Sequence, residues 1–509
     1  MTDLQHRIAA LSPEKRRLLE ARLADLTAAR GPASADRIIP RDRTRPTPLG
    51  FAQQREWAVE RFRSANNITG AMRLEGRLDL PLLGRVLTEI LDRNEVLRST
   101  VEITRDGIPV QVVQPVTAVP TPVVDLSDLS PRQQREEVRR CCTAEVLRPF
   151  DPADPQRMRV TLLRLAQDVH IALFATDHAA SDAWSLSTIA QELATVFRIL
   201  TDGRGRSLSR PEIQFGDFAA WQRARFSEER TAAELRHWRE ALSGLAASSA
   251  FPTDRPTPAR PTFAGSLWSM ELSAELSADL GRFGEREGAS LFTIMLAACS
   301  VLLYRHLEQD DLVIGSLVSG RSRVETEQLI GCFANPLPLR MRLREGQTLR
   351  EVVRQARDTF TTALDHQDVP FDRVISELGL GREASQTSLS RIWINVLTVP
   401  DMTVELPSLH ITPEPMDLGM ASVDLTLNAF PRADRLALQW AYMTELFDRD
   451  TVRLLAEQFH GVLRQLVTAP DAPVGRVELA APAAVRHPSP ASPAAAEAGF
   501  VELFQRRVA

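Results

Sequence analysis

Residues 160–185 read VTLLRLAQDVHIALFATDHAASDAWS, and this stretch carries the most informative local pattern in the chain. Val160 to Leu165 and Val169 to Thr176 are two runs rich in apolar, often β-branched residues. The polar turn Ala166-Gln167-Asp168 separates them, so the spacing predicts a pair of strands. From Trp184 to Ile199 apolar residues return at helical spacing. The segment Asp177 to Ser185 therefore falls where a strand ends and a helix begins. Such junctions expose side chains and backbone N–H groups and are common places for catalysis. A histidine four residues before an aspartate suits acyl transfer. Imidazole can take a proton from an attacking amine or orient it, and Asp182 can fix local geometry through an arginine. The plain alternative is that Asp182 caps the next helix and His178 is an ordinary half-buried histidine.

Outward from this stretch, residues 3–30 carry Leu4, Ile8, Leu11, Leu18, Leu19, Leu23 and Leu26 at helical spacing among charges. Ser12-Pro13-Glu14 supplies an N-cap, a proline at the first helical position and an acidic first turn. Gly31 to Pro48 is polar and proline-rich and reads as an extended connector. The body, from about 49 to 470, mixes helix and strand signals. Its most apolar run, Leu291 to Tyr304, is too short to span a bilayer and reads as a buried core helix. Ala469 to Gly499 is rich in Ala and Pro and reads as a linker. The last segment, FVELFQRRVA, is amphipathic.

The 509 residues allow about three domains or two large lobes. A net charge of −5, from 61 basic and 66 acidic residues, is too balanced for a nucleic-acid or anionic-membrane binder. Lys15 is the single lysine, so a Walker A lysine, a pyridoxal Schiff base and a kinase-type ATP lysine are excluded for this chain. The arginine bias itself is what a GC-rich genome gives. Cys141, Cys142, Cys299 and Cys332 form no CxxC pair, and the nine histidines form no HExxH. Neither a disulfide framework nor a metal site is expected. No apolar N-terminal stretch reads as a signal peptide, and the expected location is cytoplasmic.

The stretch 177–185 resembles the core motif of the condensation domains of nonribosomal peptide synthetases, HHxxxDG followed by Trp-Ser. Asp177 stands for the first His, His178 is the second, Asp182 is the Asp, and Ala183 stands for the Gly; Trp184 and Ser185 follow. Further motifs of the family occur in its order. Leu49 to Trp57 (LGFAQQREW) resembles S-x-A-Q-x-R-L-W. Arg93 to Arg98 resembles RHExLR, and Phe215 to Trp221 resembles Y-x-D-F-A-x-W. Ile330 to Asn335, running on to Arg340, resembles I-G-x-F-V-N with its trailing Arg. His366 to Asp372 resembles H-Q-D-x-P-F-E, and Ser388 to Val396 matches the last motif loosely. Together they span residues 45–400.

The resemblance implies an α+β fold of two chloramphenicol-acetyltransferase-like lobes in a V-shaped pseudo-dimer, with the active site in a tunnel between them. The expected division is 1–44 as lead-in helix and linker, 45–210 and 211–470 as the lobes, and 471–509 as linker and the start of an adenylation domain. It implies that His178 positions an acceptor amine and handles its proton. Asp182 would pair with Arg340 to hold the loop. Asp177, Ala183, Trp184, Ser185 and Asn335 would support the motif. Trp57, Trp221 and Trp393 read as core or tunnel-wall aromatics. No cofactor is implied for the domain itself; substrates would arrive as thioesters on the phosphopantetheine arms of an upstream and a downstream carrier protein, beside an adjacent adenylation domain. Met1 so close to the lead-in helix suggests that the protein begins there.

Two departures stand out. An acid at 177 would raise the imidazole pKa of its neighbour, and a methyl at 183 would narrow the tunnel or exclude a backbone conformation that needs glycine. Alternatives are a non-catalytic platform that recruits a tailoring enzyme or carrier protein, a heterocyclisation domain, for which Asp177, Asp182 and Ser185 match DxxxxDxxS, and ester formation. Epimerisation is disfavoured by the downstream sequence.

Overall fold

Residues 158–202 fold as two strands and a helix, as their apolar spacing predicts. In the computed structural model, strands Met158–Ala166 and Val169–Asp177 pair antiparallel across the polar turn, and helix Ala183–Asp202 follows. The structure describes residues 37–479 except 61–66, 203–207, 227, 246–248, 259–261, 308, 379–388, 398–402, 407 and 415–418. The expected helix over 3–30, residues 480–499 of the expected linker and the terminal FVELFQRRVA lie outside the described residues.

The hairpin is the centre of a six-stranded sheet with the order 404–406, 409–413, 67–76, 169–177, 158–166, 123–125. Alternation along its strands divides the apolar side chains between two faces. Leu74, Met158 and Val160 meet helices Leu80–Arg93 and Ala183–Asp202 on one face. Ala71, Leu163, Ile171 and Leu173 meet Cys142 of helix Pro131–Leu147 on the other. A second six-stranded sheet has the order 335–342, 311–318, 392–396, 425–431, 436–443, 265–271. Helices Ala274–Glu287, Leu291–Leu307, Leu349–Asp365 and Arg449–Thr468 pack with it in one large core. The run Leu291–Tyr304 lies in the second of these helices, and Thr293 through Leu303 are all buried. Its buried Ser300 hydroxyl is satisfied by the Leu296 carbonyl at 2.7 Å. All four cysteines are free thiols.

The lobes are not divided by one cut near residue 210. Helix Phe215–Arg225 packs through Phe215, Phe218 and Ala219 into the first core. Strand Leu409–Pro413 pairs with Asn67–Gly76 in the first sheet. Leu329, Ile330 and Phe333, between two strands of the second sheet, are also buried in the first core. Residues 319–334 are thus a strap from one lobe to the other. The flanks are more docked than composition suggests. Ile38, in the expected connector, is 2% exposed, and Arg41 pairs with Asp217 at 3.1 Å and Glu95 at 3.0 Å. In the expected linker, Pro470 and Ala472 accept from Arg350 and Leu349, and Val474 and Val477 are buried. Proline-rich sequence satisfied its backbone here against a helix start, which composition does not reveal. No single described helix is long and apolar enough to cross a membrane.

Candidate active site

The turn from Asp177 to Asp182 joins the central hairpin to the helix that starts at Ala183. Asp177 closes it locally: its Oδ1 accepts the Ala179 N–H at 2.8 Å and its carbonyl accepts the Ala180 N–H at 2.9 Å. Ser181 is fully buried and its hydroxyl lies 2.5 Å from that of Thr176. His178 is half-buried, and its Nδ1 lies 3.0 Å from the Ser181 carbonyl oxygen. A carbonyl can only accept, so Nδ1 carries the proton and the neutral ring keeps its lone pair on Nε2. This one contact selects the basic nitrogen.

Asp182 is 2% exposed and does two jobs. As the helix cap, its Oδ1 accepts the Ser185 N–H at 2.8 Å. As an ion-pair partner it takes Arg321 in a two-pronged contact, Nη1 to Oδ2 at 2.7 Å and Nη2 to Oδ1 at 3.1 Å. Its Oδ2 also accepts the Phe333 N–H at 3.0 Å. Arg321 and Phe333 belong to the strap, so Asp182 ties the first lobe to it. Ser185, fully buried, adds to the same knot. Its hydroxyl accepts the Gly331 N–H at 3.0 Å and an Arg321 N–H at 3.1 Å, and lies 2.8 Å from Asp182 and 2.9 Å from the Gly331 carbonyl. Gly331 is obligatory at this crossing: a Cβ there would sit 2.0 Å from the Phe215 ring. Arg321 also stacks over the Phe333 ring at 4.1 Å.

The expected Asp182–Arg340 pair does not form. Arg340 binds Asp311 at 2.5 and 2.7 Å and the carbonyls of Ala241 and Ser243 at 3.0 and 2.7 Å. The reason is distance along a strand. Phe333 is at the strap, and Asn335–Arg342 then runs extended at roughly 3.3 Å per residue, carrying residue 340 about 20 Å away. The guanidinium that meets Asp182 comes from the other end of the strap. Asn335 is not at the motif turn either. Its amide donates to the carbonyls of Gln367 and Val369 at 3.0 and 2.7 Å and its Oδ1 accepts the Phe371 N–H at 3.0 Å, so it anchors the HQDVPFD segment.

Asp177 is 4% exposed and pairs with Arg157 at 3.2 Å. Burial pushes its carboxyl up, against the pull of Arg157 and the Ala179 amide. Its side-chain hydrogen bonds go to Arg157 and to the Ala179 N–H of the turn. Ala183 is exposed and begins the helix. Phe263 is the one described non-glycine residue with a positive φ, so position 183 does not require glycine's conformational freedom. Trp184 is 47% exposed and its Nε1 donates to the Glu327 carbonyl at 2.9 Å, a further strap contact. Trp393 is buried and covers Gly315, where a Cβ would sit 2.7 Å from the indole; Trp57 and Trp221 are half-buried.

The other motifs are scaffold around this turn. Arg93 meets Glu192 of helix Ala183–Asp202 at 3.0 Å. Arg55 reaches the Ala334 carbonyl at 3.3 Å and Asp372 at 3.5 Å, joining the first motif to the strap's end and the HQDVPFD segment. His366 stacks on His237 with centroids 3.9 Å apart. Sequence reasoning missed Arg321, Arg157 and Gly331 as members of the site. Only the glycine carried a signal, through its motif; nothing distinguishes two arginines among so many. Among the described residues no group of three His, Cys, Asp or Glu has the geometry to hold a metal ion.

This architecture and these motifs have relatives. The family model for the condensation domain matches residues 44–486. Malpinin synthetase of Mortierella alpina is 31% identical over 445 residues, covering 87% of this chain and 6% of that protein. Phosphinothricin tripeptide synthetase PhsC of Streptomyces viridochromogenes is 33% identical over 477 residues, covering 92% of this chain and 43% of that protein. The chain thus spans less than half the length of either relative. Among solved structures, the X-domain in complex with OxyB from teicoplanin biosynthesis superposes with a TM-score of 0.79 at 25% identity, over 88% of this chain and 98% of that one. The first condensation domain of the calcium-dependent antibiotic synthetase, bound to a substrate analogue, gives 0.71 at 21% identity, over 86% and 100%. The α+β fold is that of these domains, and the chain belongs to the condensation-domain family of nonribosomal peptide synthetases.

Proposed function

We propose that this domain forms an amide bond between two carrier-bound substrates. The acceptor amine attacks the donor thioester carbonyl; a C–N bond forms, the C–S bond breaks, and the donor arm leaves as its thiol. A free α-amine has a pKa near 8, so a useful fraction is neutral at pH 7. The thioester is already activated. The catalyst then has to hold two arms together and move one proton. The observation that carries the reading is the His178 Nδ1 contact with the Ser181 carbonyl, which leaves Nε2 as the base for the amine. The first-turn amides of Ala183 and Trp184, at a helix N-terminus, are the donors for the developing oxyanion. Asp182 and Ser185 act through the strap, and Asp177 through the turn. The Ser185 hydroxyl is engaged with Gly331 and Arg321, which speaks against a separate catalytic role in cyclisation. The carriers, their phosphopantetheine arms and an adenylation domain are the partners of this reading, in the setting of natural-product biosynthesis.

A second reading is favoured by one observation. The likeness to the teicoplanin X-domain, a domain solved in complex with OxyB, supports a platform that binds a tailoring enzyme. Intact-protein mass spectrometry of one donor-loaded and one acceptor-loaded carrier separates the two. Transfer of the acyl group with this domain present, and not without it, is the expected result. Carrier binding without transfer would overturn the catalytic reading in favour of the platform.

A further inference from the structure

The turn that presents His178 is held at both acidic ends by a buried arginine. Arg321 holds Asp182 from the strap. Arg157 holds Asp177 from within the first lobe, with side chains 4% and 5% exposed. Arg157 is more than a counter-charge. Its Nε donates to the Ser99 carbonyl at 3.0 Å, its Nη1 to the Asp151 carbonyl at 3.0 Å and to Asp177 at 3.2 Å, and its Nη2 to the Pro152 carbonyl at 2.7 Å. The Asp177 N–H donates to the Arg157 carbonyl at 3.1 Å, so the two residues are joined through backbone and side chain alike. The guanidinium therefore fixes the end of strand Val169–Asp177 to strand Ser99–Ile103 and to the 151–152 segment.

We propose that Arg157 and Asp177 are a positioning pair for His178. Their ion pair sets the 177–182 turn, so that Nδ1 stays on the Ser181 carbonyl and Nε2 stays the basic nitrogen. Asp177 is then the fitting residue for this turn. A neutral or basic side chain there would leave a buried guanidinium without its acid, which is costly, whereas removing both charges together is tolerated far better. The Ala179 contact needs only an oxygen at this position, which asparagine also supplies. This inference deepens the condensation reading and rests on it for its activity readout alone.

The test uses the whole chain, wild type beside Asp177→Asn, Arg157→Met and the double variant. Single-turnover transfer between loaded carriers gives the rate, and carrier titration gives KM. Each single variant should slow transfer about tenfold or more with KM unchanged, since one charge is left unpaired beside the base. The double variant should be clearly faster than Arg157→Met alone, because the unpaired charge is gone, though slower than wild type, because the Ser99, Asp151 and Pro152 carbonyls still lack their donor. In parallel, the Nδ1–H resonance of His178, assigned by its loss in His178→Ala, should be present in wild type, lost in both single variants and restored in the double. Single variants at the wild-type rate, or a double variant as slow as the product of the two, would overturn the pairing. If a single variant fails to fold, the folded double decides by its Nδ1–H resonance, whose absence would overturn the pairing. If wild type transfers nothing, the condensation reading fails, and the Nδ1–H resonance alone decides the pair: unchanged in the single variants, it refutes the inference.

Discussion

Replacing Arg321 by Met removes the cation that joins Asp182 to the strap. The Arg321 side chain is 1% exposed and that of Asp182 is 3%. Breaking such a buried pair from one side costs about 3–5 kcal/mol, because the remaining charge has no solvent to turn to. The Ser319 and Leu329 carbonyls lose donors as well. Arg340→Met is the control. Asp311, its partner, is 32% exposed and can hydrate, so about 1–2 kcal/mol is expected there. The decisive quantity is coupling to Asp182 in denaturant unfolding. Asp182→Asn with Arg321→Met should couple by about 2 kcal/mol, and Asp182→Asn with Arg340→Met by less than about 0.5 kcal/mol. Limited proteolysis should also cut residues 319–334 faster in Arg321→Met than in Arg340→Met. Equal coupling for the two arginines, or stronger coupling through Arg340, would refute the assignment of Arg321 as the lobe-bridging partner.

Two further outcomes follow from the same geometry. Gly331→Ala drives a methyl into the Phe215 ring beneath the strap and should cost about 1–3 kcal/mol by thermal unfolding, where an equally stable variant would contradict the packing. Arg340, chiefly through its hydrogen bonds, holds the Asp311 carboxyl below its ordinary value of 3.8. A depressed carboxyl stabilises the fold above the unfolded pKa and loses that contribution as pH falls through the folded one. The Tm gap between wild type and Asp311→Asn should therefore be full at pH 6 and close towards pH 3; a gap that widens on acidification would contradict the sign.

The hairpin, the helix after it and the buried helix at 291–307 were legible because each carries its own period of apolar residues. The motif turn was legible too, and Asp182 proved to be both helix cap and ion-pair partner. What the sequence hid was pairing across distance. Arg340 trails its motif by a few residues, yet a strand carries it out of reach, while Arg321 reaches Asp182 from the opposite end of the strap. The crossing of strand Leu409–Pro413 into the first sheet is hidden for the same reason: a short edge strand bears no mark of which sheet it completes. The docked ends at 37–48 and 469–479 read as linkers because Pro and polar residues signal irregular backbone, and irregular backbone can still be packed.

In the proposed reaction His178, with Nδ1 on the Ser181 carbonyl, supplies the base for amide formation. The most direct test is single-turnover acyl transfer between loaded carriers by wild type and His178→Ala, with both proteins shown to be equally folded. Product on the acceptor carrier is expected for wild type, with a loss of about 10²-fold or more for His178→Ala. Transfer at the wild-type rate by folded His178→Ala would contradict that role.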